Sequence, residues 1–301
     1  MTPKTNPDEI DISEALVSEL ITSQFPDWAH LPLAKVSSAG TDNAIYRLGD
    51  AMAVRLPRLS RAAETVAKEQ RWLPRLAPQL PLSIPVPLAV GIPGGEFPYP
   101  WSVYRWLPGE DLAARTDVDI CDVGGRLGAF IAALQRIDTA AGPVSPRATP
   151  VDAREDDVVR VTIRQLSEEG SLDGDAAVAV WESALAAPSW KRRPVWIHGD
   201  LFPSNLLAVL GRLAAVIDFG LLGLGDPATD MLPAWTLLTA RSREFFRAAA
   251  EVDDATWVRG RGWALSAGLG AVRVYRRTNP VLAAAGRHAI DQAVADHLNS
   301  T

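Results

Sequence analysis

What this chain of 301 residues lacks narrows it first. It has a single cysteine, Cys121, which excludes an internal disulfide framework and a cysteine-ligated zinc site. One free thiol also fits a reducing compartment. Four histidines leave little room for a histidine-based metal cluster. Lysine is scarce as well: of 30 basic residues only Lys4, Lys35, Lys68 and Lys191 are lysines. Any role that needs an ammonium group therefore has four candidates. There is no apolar run of about 18 residues, so no membrane-spanning helix is expected. The polar, acidic start MTPKTNPDEIDISEAL lacks the basic-then-apolar order of a secretory signal. With a net charge of −6 the chain has no general attraction for nucleic acid. A cytoplasmic protein is expected, with neither nucleic acid nor membrane as a partner. No Gly-x-Ser-x-Gly elbow, Gly-x-Gly-x-x-Gly loop or Gly-Lys dipeptide occurs, which removes the usual signatures of an α/β-hydrolase, a dinucleotide-binding turn and a Walker-type loop.

What is present has a clear order. Apolar residues make up 48%, ordinary for a packed protein, and the length suits one large domain or two lobes. DISEALVSELITSQ spaces Ile12, Leu16, Leu20 and Ile21 as a helix does. LAKVSSAG, NAIYRLGD and AMAVRLPR read as strands, the last two joined by the LGDA turn. SRAAETVAKEQRWLPR reads as a helix with Ser60 as its N-cap. Two more strands are expected near 86–91 and 99–105. After YRWLPGEDL the pattern turns helical: 117–138 despite Gly124, Gly125 and Gly128, then 155–168 and 173–187. Short strands at 194–197, 206–209 and 213–217 bracket two polar motifs, and helices run from Pro227 onward. The predicted fold class is α+β: a small antiparallel β-rich N-lobe, 1–105, and a larger, mostly helical C-lobe, 106–301.

The polar motifs are His198-Gly-Asp200-(x4)-Asn205 and Asp218-Phe219-Gly220. A surface turn needs Gly, Pro or Asn for its backbone, so Asp200 and Asn205 alone read equally well as turn residues. The stretch LLAVLGRLAAVI between the motifs has the pattern of a hairpin, which would bring them together. Two carboxylates and an amide oxygen make a hard-oxygen cluster suited to Mg²⁺. Phosphoryl transfer needs such a set: one carboxylate to orient a hydroxyl and take its proton, the others to hold the metal that neutralises phosphate charge.

This pattern resembles the catalytic and metal loops of the protein-kinase fold. HGDLFPSN, together with the GDPATD run at 225–230, is similar to the aminoglycoside phosphotransferase family. The resemblance spans roughly 33–275 and is most specific at 196–230. It implies a two-lobed kinase-like fold and transfer of the γ-phosphate of ATP or GTP to a small-molecule hydroxyl. By resemblance Asp200 is the base, and Asn205 and Asp218 hold Mg²⁺. Gly40 and Asn43 lie in the phosphate-covering turn. Arg55, standing where typical kinases carry Lys, pairs with Glu69 and steadies the phosphates. The adenine meets the hinge around Tyr104, Trp106 and Leu107. His198 braces the catalytic loop, and Asp230 bonds that loop's backbone. Asp226 before Pro227 is also the pattern of a helix N-cap.

An aminoglycoside is the acceptor the resemblance implies, and resistance the role that goes with it. In that family acidic residues of the helical lobe bind aminosugars, which singles out Asp152, Glu155, Asp156, Asp157, Asp253 and Asp254. These also read as solvated helix starts. Trp106 and Trp235 are the tryptophans to check for exposure. The alternatives are a kinase for a macrolide or for a metabolic alcohol such as choline or homoserine, and a non-catalytic, nucleotide-binding pseudokinase, which Arg55 in place of Lys favours.

Overall fold

The computed structural model describes residues 9–36, 42–113, 115 and 117–300. Gly40 lies outside them. The chain divides into two compact units. One comprises residues up to Gly109 together with Ala215–Gly220. The other comprises Glu110–Ala214 and Leu221 onward.

The first unit is built on helix α1 (Glu14–Gln24) and strands β1 (Leu33–Lys35), β2 (Asn43–Leu48) and β3 (Met52–Pro57). Helix α2 (Ser60–Leu76) and strands β4 (Pro87–Gly91) and β5 (Trp101–Arg105) follow. The five strands form one antiparallel sheet in the order β1-β2-β3-β5-β4. Strand alternation splits its two faces. Tyr46, Leu48, Val54, Leu56, Trp101 and Val103 pack with Val17, Leu20 and Ile21 of α1. The alternate residues Arg55, Ser102 and Tyr104 bond to the side chains of α2. Helix α2 buries Ala62, Val66, Glu69, Leu73 and Leu76, the spacing of a helical stripe with one carboxylate inside it. Ser60 is the first residue of α2 rather than its cap; Leu59 holds the cap position, with no side-chain bond.

In the second unit, β6 (Glu110–Asp111) leads to helices α3 (Ile120–Arg136), α4 (Asp156–Glu168) and α5 (Gly174–Ala186). Four short strands follow in the chain: β7 (Val195–Ile197), β8 (Leu206–Val209), β9 (Arg212–Val216), whose last two residues are grouped with the first unit, and β10 (Gly223–Gly225). Helices α6 (Pro233–Thr236), α7 (Ala240–Ala250), α8 (Asp254–Tyr275) and α9 (Pro280–Leu298) complete it. The strands make two small sheets, β6-β8-β9 and β10-β7. Asp119 caps α3 by accepting from Cys121 N and Asp122 N. The glycines of α3 have a packing reason: a Cβ at Gly124 would lie 2.7 Å from Ser242 O, and one at Gly128 2.5 Å from Phe246 O. Only glycine lets α3 and α7 approach this closely. Trp235 is fully buried and packs on Trp257 with ring centroids 4.7 Å apart, so it belongs to the core. No described helix is long and apolar enough to cross a membrane.

Candidate active site

In the first unit the candidate residues gather around one guanidinium. Arg55 Nη1 donates to both carboxylate oxygens of Glu69 at 2.7 Å, and Nη2 donates to Asp218 Oδ1 at 2.9 Å. The register pairs Ile45 with Arg55, so Asn43 lies two residues along the neighbouring strand on the same face. With its amide oxygen turned toward Arg55, Asn43 accepts from Nε at 3.3 Å and Nη2 at 2.9 Å. Every nitrogen of the guanidinium therefore has an acceptor. The planar fork that distinguishes Arg from Lys serves three partners at once. Tyr104 adds a hydroxyl bond to Glu69 Oε2.

Burial and charge pull in opposite directions here. Burial alone would lower the Arg55 pKa, but the Glu69 and Asp218 carboxylates hold it above the ordinary guanidinium value. Burial, with Glu69 beside it, pushes the Tyr104 phenol up. Glu69, whose side chain is 2% exposed, is thus a buried carboxylate with its charge compensated. Asn43 opens β2 rather than sitting in the turn before it. Lys68, the residue before Glu69, donates from Nζ to Gly220 O at 2.6 Å. The kinase pattern gave Lys68 no role, because it lies on the helix rather than on the third strand, and no spacing rule ties it to a carbonyl 152 residues away.

The hinge stretch is partly spent on structure. Arg105 N donates to Val86 O and Trp106 N to Ala51 O. Tyr104 pairs with Ala53 in the sheet. The Leu107 N–H has no partner among the described residues. Trp106 is half-buried beneath the Arg47 guanidinium, which lies 4.9 Å from its ring centroid.

In the second unit the Asp200 turn is held by its backbone. Gly199 has φ +84°, and a Cβ there would meet Leu221 O at 3.0 Å, so glycine is needed twice over. Asp230 is fully buried and accepts from His198 N at 2.7 Å and Gly199 N at 2.8 Å. Burial outweighs those bonds and, with Asp200 nearby, pushes the Asp230 carboxyl up to about 7. His198, also fully buried, accepts from Asp200 N at its Nδ1 at 3.2 Å, a bracing role. Asn205 Nδ2 donates to Asp200 O at 2.8 Å and to Asp200 Oδ2 at 3.2 Å. That orientation leaves Asn205 Oδ1 without a hydrogen-bond partner among the described residues.

Asp226 caps the short 3₁₀ helix Pro227–Met231 that carries Asp230, and Pro227 stands at its first position. Arg259 grips the Asp226 carboxylate through Nε (2.8 Å) and Nη2 (2.9 Å), a buried fork-to-fork pair that the sequence pattern did not reveal.

The acidic residues singled out for an aminosugar divide. Asp156 accepts from Arg160 Nε and Trp181 Nε1, Asp253 caps α8 through Thr256 N, and Asp254 pairs with Arg247. Glu155 and Asp157 at the start of α4 are exposed.

Asp218 sits in the left-handed region at φ +64°, uncommon for a residue other than glycine. Its side chain is 43% exposed, and Oδ2 has no hydrogen-bond partner among the described residues. Asp218 Oδ2 in the first unit and Asn205 Oδ1 in the second are each hard oxygen donors.

Comparison with known proteins gives this geometry a setting. The model of the phosphotransferase enzyme family matches residues 34–263. The fold is similar to that of a point mutant of aminoglycoside 2'-phosphotransferase-IIIa in its GDP complex, at 20% identity and a TM-score of 0.71, covering 96% of this chain and 99% of that one. It is similar also to macrolide 2'-phosphotransferase MphH from Brachybacterium faecium, at 22% identity and a TM-score of 0.61, covering 93% and 98%. A third is the streptomycin–ATP ternary complex of APH(2")-IIa, at 17% identity and a TM-score of 0.56, covering 96% and 97%. No curated protein sequence matches the chain.

Proposed function

Because the chain belongs to the phosphotransferase enzyme family, which its residues 34–263 match, we propose that it moves the γ-phosphate of ATP or GTP to a hydroxyl of an aminoglycoside. The observation that carries this reading is the Asp200 turn. A carboxylate is held by an amide whose own oxygen is left over, on a loop fixed by a buried acid. Asp200 is the catalytic base: it orients the acceptor hydroxyl and takes its proton at Oδ. Asn205 steadies that carboxylate through Nδ2. Asn205 and Asp218 are the Mg²⁺ ligands, each offering one unengaged oxygen. Bound there, the metal neutralises charge on the nucleotide phosphates. Arg55 adds its positive charge through space, since its nitrogens are engaged by Glu69, Asp218 and Asn43. The Leu107 N–H is the donor we assign to the base of the nucleotide.

One observation favours a macrolide as the alternative acceptor. Asp156, Asp253 and Asp254 are spent on local contacts, which thins the carboxylates a polycationic aminosugar would need. The non-catalytic alternative is opposed by the presence of Asp200, Asn205 and Asp218 together.

The test is ADP or GDP release with Mg²⁺ and each triphosphate, across aminoglycosides, macrolides and small metabolic alcohols. Acceptor-dependent release is expected. Asp200→Asn should lower turnover by about 10²–10⁴-fold while nucleotide affinity stays nearly intact. Undiminished turnover in that variant overturns the role of Asp200. Nucleotide binding with no release on any acceptor favours the non-catalytic reading.

A further inference from the structure

The three-residue turn Asp218-Phe219-Gly220 is gripped at both ends by consecutive residues of one helix. Glu69 of α2 holds Arg55, whose Nη2 holds the Asp218 carboxylate. Lys68, one residue earlier on α2, donates to the Gly220 carbonyl at 2.6 Å. The turn needs holding. Asp218 sits at φ +64°, a left-handed conformation that strains a residue with a Cβ unless the surroundings enforce it. Gly220 lies directly against the carboxylate: a Cβ there would be 3.5 Å from Asp218 Oδ1 and 3.9 Å from Arg55 Nη2. A rotation of the Gly220–Leu221 peptide would therefore swing the chain beside the very oxygen that Arg55 grips. An ammonium bonded to that peptide's carbonyl opposes the rotation. Lys68 is half-buried, which disfavours its charge, so its ammonium is not there merely to be solvated.

We propose that Lys68 is a positioning residue for the metal carboxylate. By pinning the Gly220 carbonyl it fixes the peptide geometry that aims Asp218 Oδ2, and it makes α2 the common anchor for both ends of the metal turn. The contact stands on the structure alone; its consequence for the metal rests on the phosphotransfer reading.

The variants are Lys68→Met, which keeps the length of the side chain and removes the donor, and Lys68→Arg, which keeps a donor. Two readouts are taken. The first is hydrogen exchange of the amides of residues 218–221 in the protein without ligands. The second is affinity for Mn²⁺ as the probe, in the presence of ADP or GDP, followed by electron paramagnetic resonance. In Lys68→Met exchange across 218–221 should rise while exchange in β2 and β3 stays put. Its Mn²⁺ affinity should fall by about ten- to a hundredfold, the usual loss when a residue that orients a metal ligand is removed. Lys68→Arg should recover most of both. Unchanged exchange in Lys68→Met overturns the proposal, and so does unchanged Mn²⁺ affinity in a protein whose wild type binds the ion. Wild-type protein that binds no Mn²⁺ with either nucleotide overturns the phosphotransfer reading and the metal consequence with it, while the exchange result still decides the latch.

Discussion

The Arg55 cluster and the Asp200 turn are built on opposite principles. Around Arg55 side chains hold side chains: one guanidinium answers two carboxylates and an amide, and charge cancels charge. Around Asp200 a side chain holds the backbone: Asp230 receives two main-chain N–H groups and no salt bridge among the described residues. The first arrangement fixes where charges sit but depends on every partner being present. The second fixes the path of the loop and leaves the working side chain to be placed by that path. The lesson is that the two should fail differently.

The largest difference should appear on truncation. Removing Glu69 by Glu69→Ala leaves Arg55 buried without its main counter-charge, and breaking a buried pair typically costs about 3–5 kcal/mol. Urea unfolding should show that loss, and a shift below 1 kcal/mol would mean that the cluster is held by packing rather than charge. The next difference is in pH. The Asp230 carboxyl is raised to about 7 in the folded protein from the ordinary aspartate value of 3.8. Between those values the folded state keeps a proton that the unfolded chain has lost. The stability this group contributes is complete below about pH 4 and falls as pH rises toward 7, by about 1.4 kcal/mol per pH unit at most. Asp230→Asn removes the titration, so its unfolding midpoint should be flatter over that range; equal slopes would place the raised acid elsewhere. The smallest effect belongs to an ion pair outside both regions. Arg276 meets Glu169 at 2.8 Å, but their side chains are 40% and 47% exposed. Arg276→Ala should change stability by less than about 1 kcal/mol, and a larger change would show that this pair carries more than exposed ion pairs ordinarily do.

Legibility follows the range of the interaction. HGDLFPSN and DFG lie in consecutive residues, so the resemblance that suggests their roles rests on local sequence. Strand alternation and helix spacing gave the elements of the first unit because those signals are local as well. Strands of two and three residues, such as β6 and β10, leave no periodicity to read. The bonds from Tyr104 to Glu69, Arg55 to Asn43, Lys68 to Gly220 and Arg259 to Asp226 join separate elements. No spacing rule reports them until the strands are in register. One signal was available: Glu69 interrupts the stripe Ala62, Val66, Leu73, Leu76, and an acid in an apolar helical stripe calls for a buried cation. For Ser60 the local rule misled, since Ser is favoured at an N-cap but tolerated in the first turn.

The left-handed backbone at Asp218 sets two local effects against each other. At φ +64° glycine would sit without a Cβ penalty. The same exchange would remove the carboxylate that meets Arg55 Nη2 at 2.9 Å and leave that nitrogen with Asn43 alone. Relief of the torsion and loss of the ion pair therefore oppose each other at one position, and a glycine there would report their difference rather than either one.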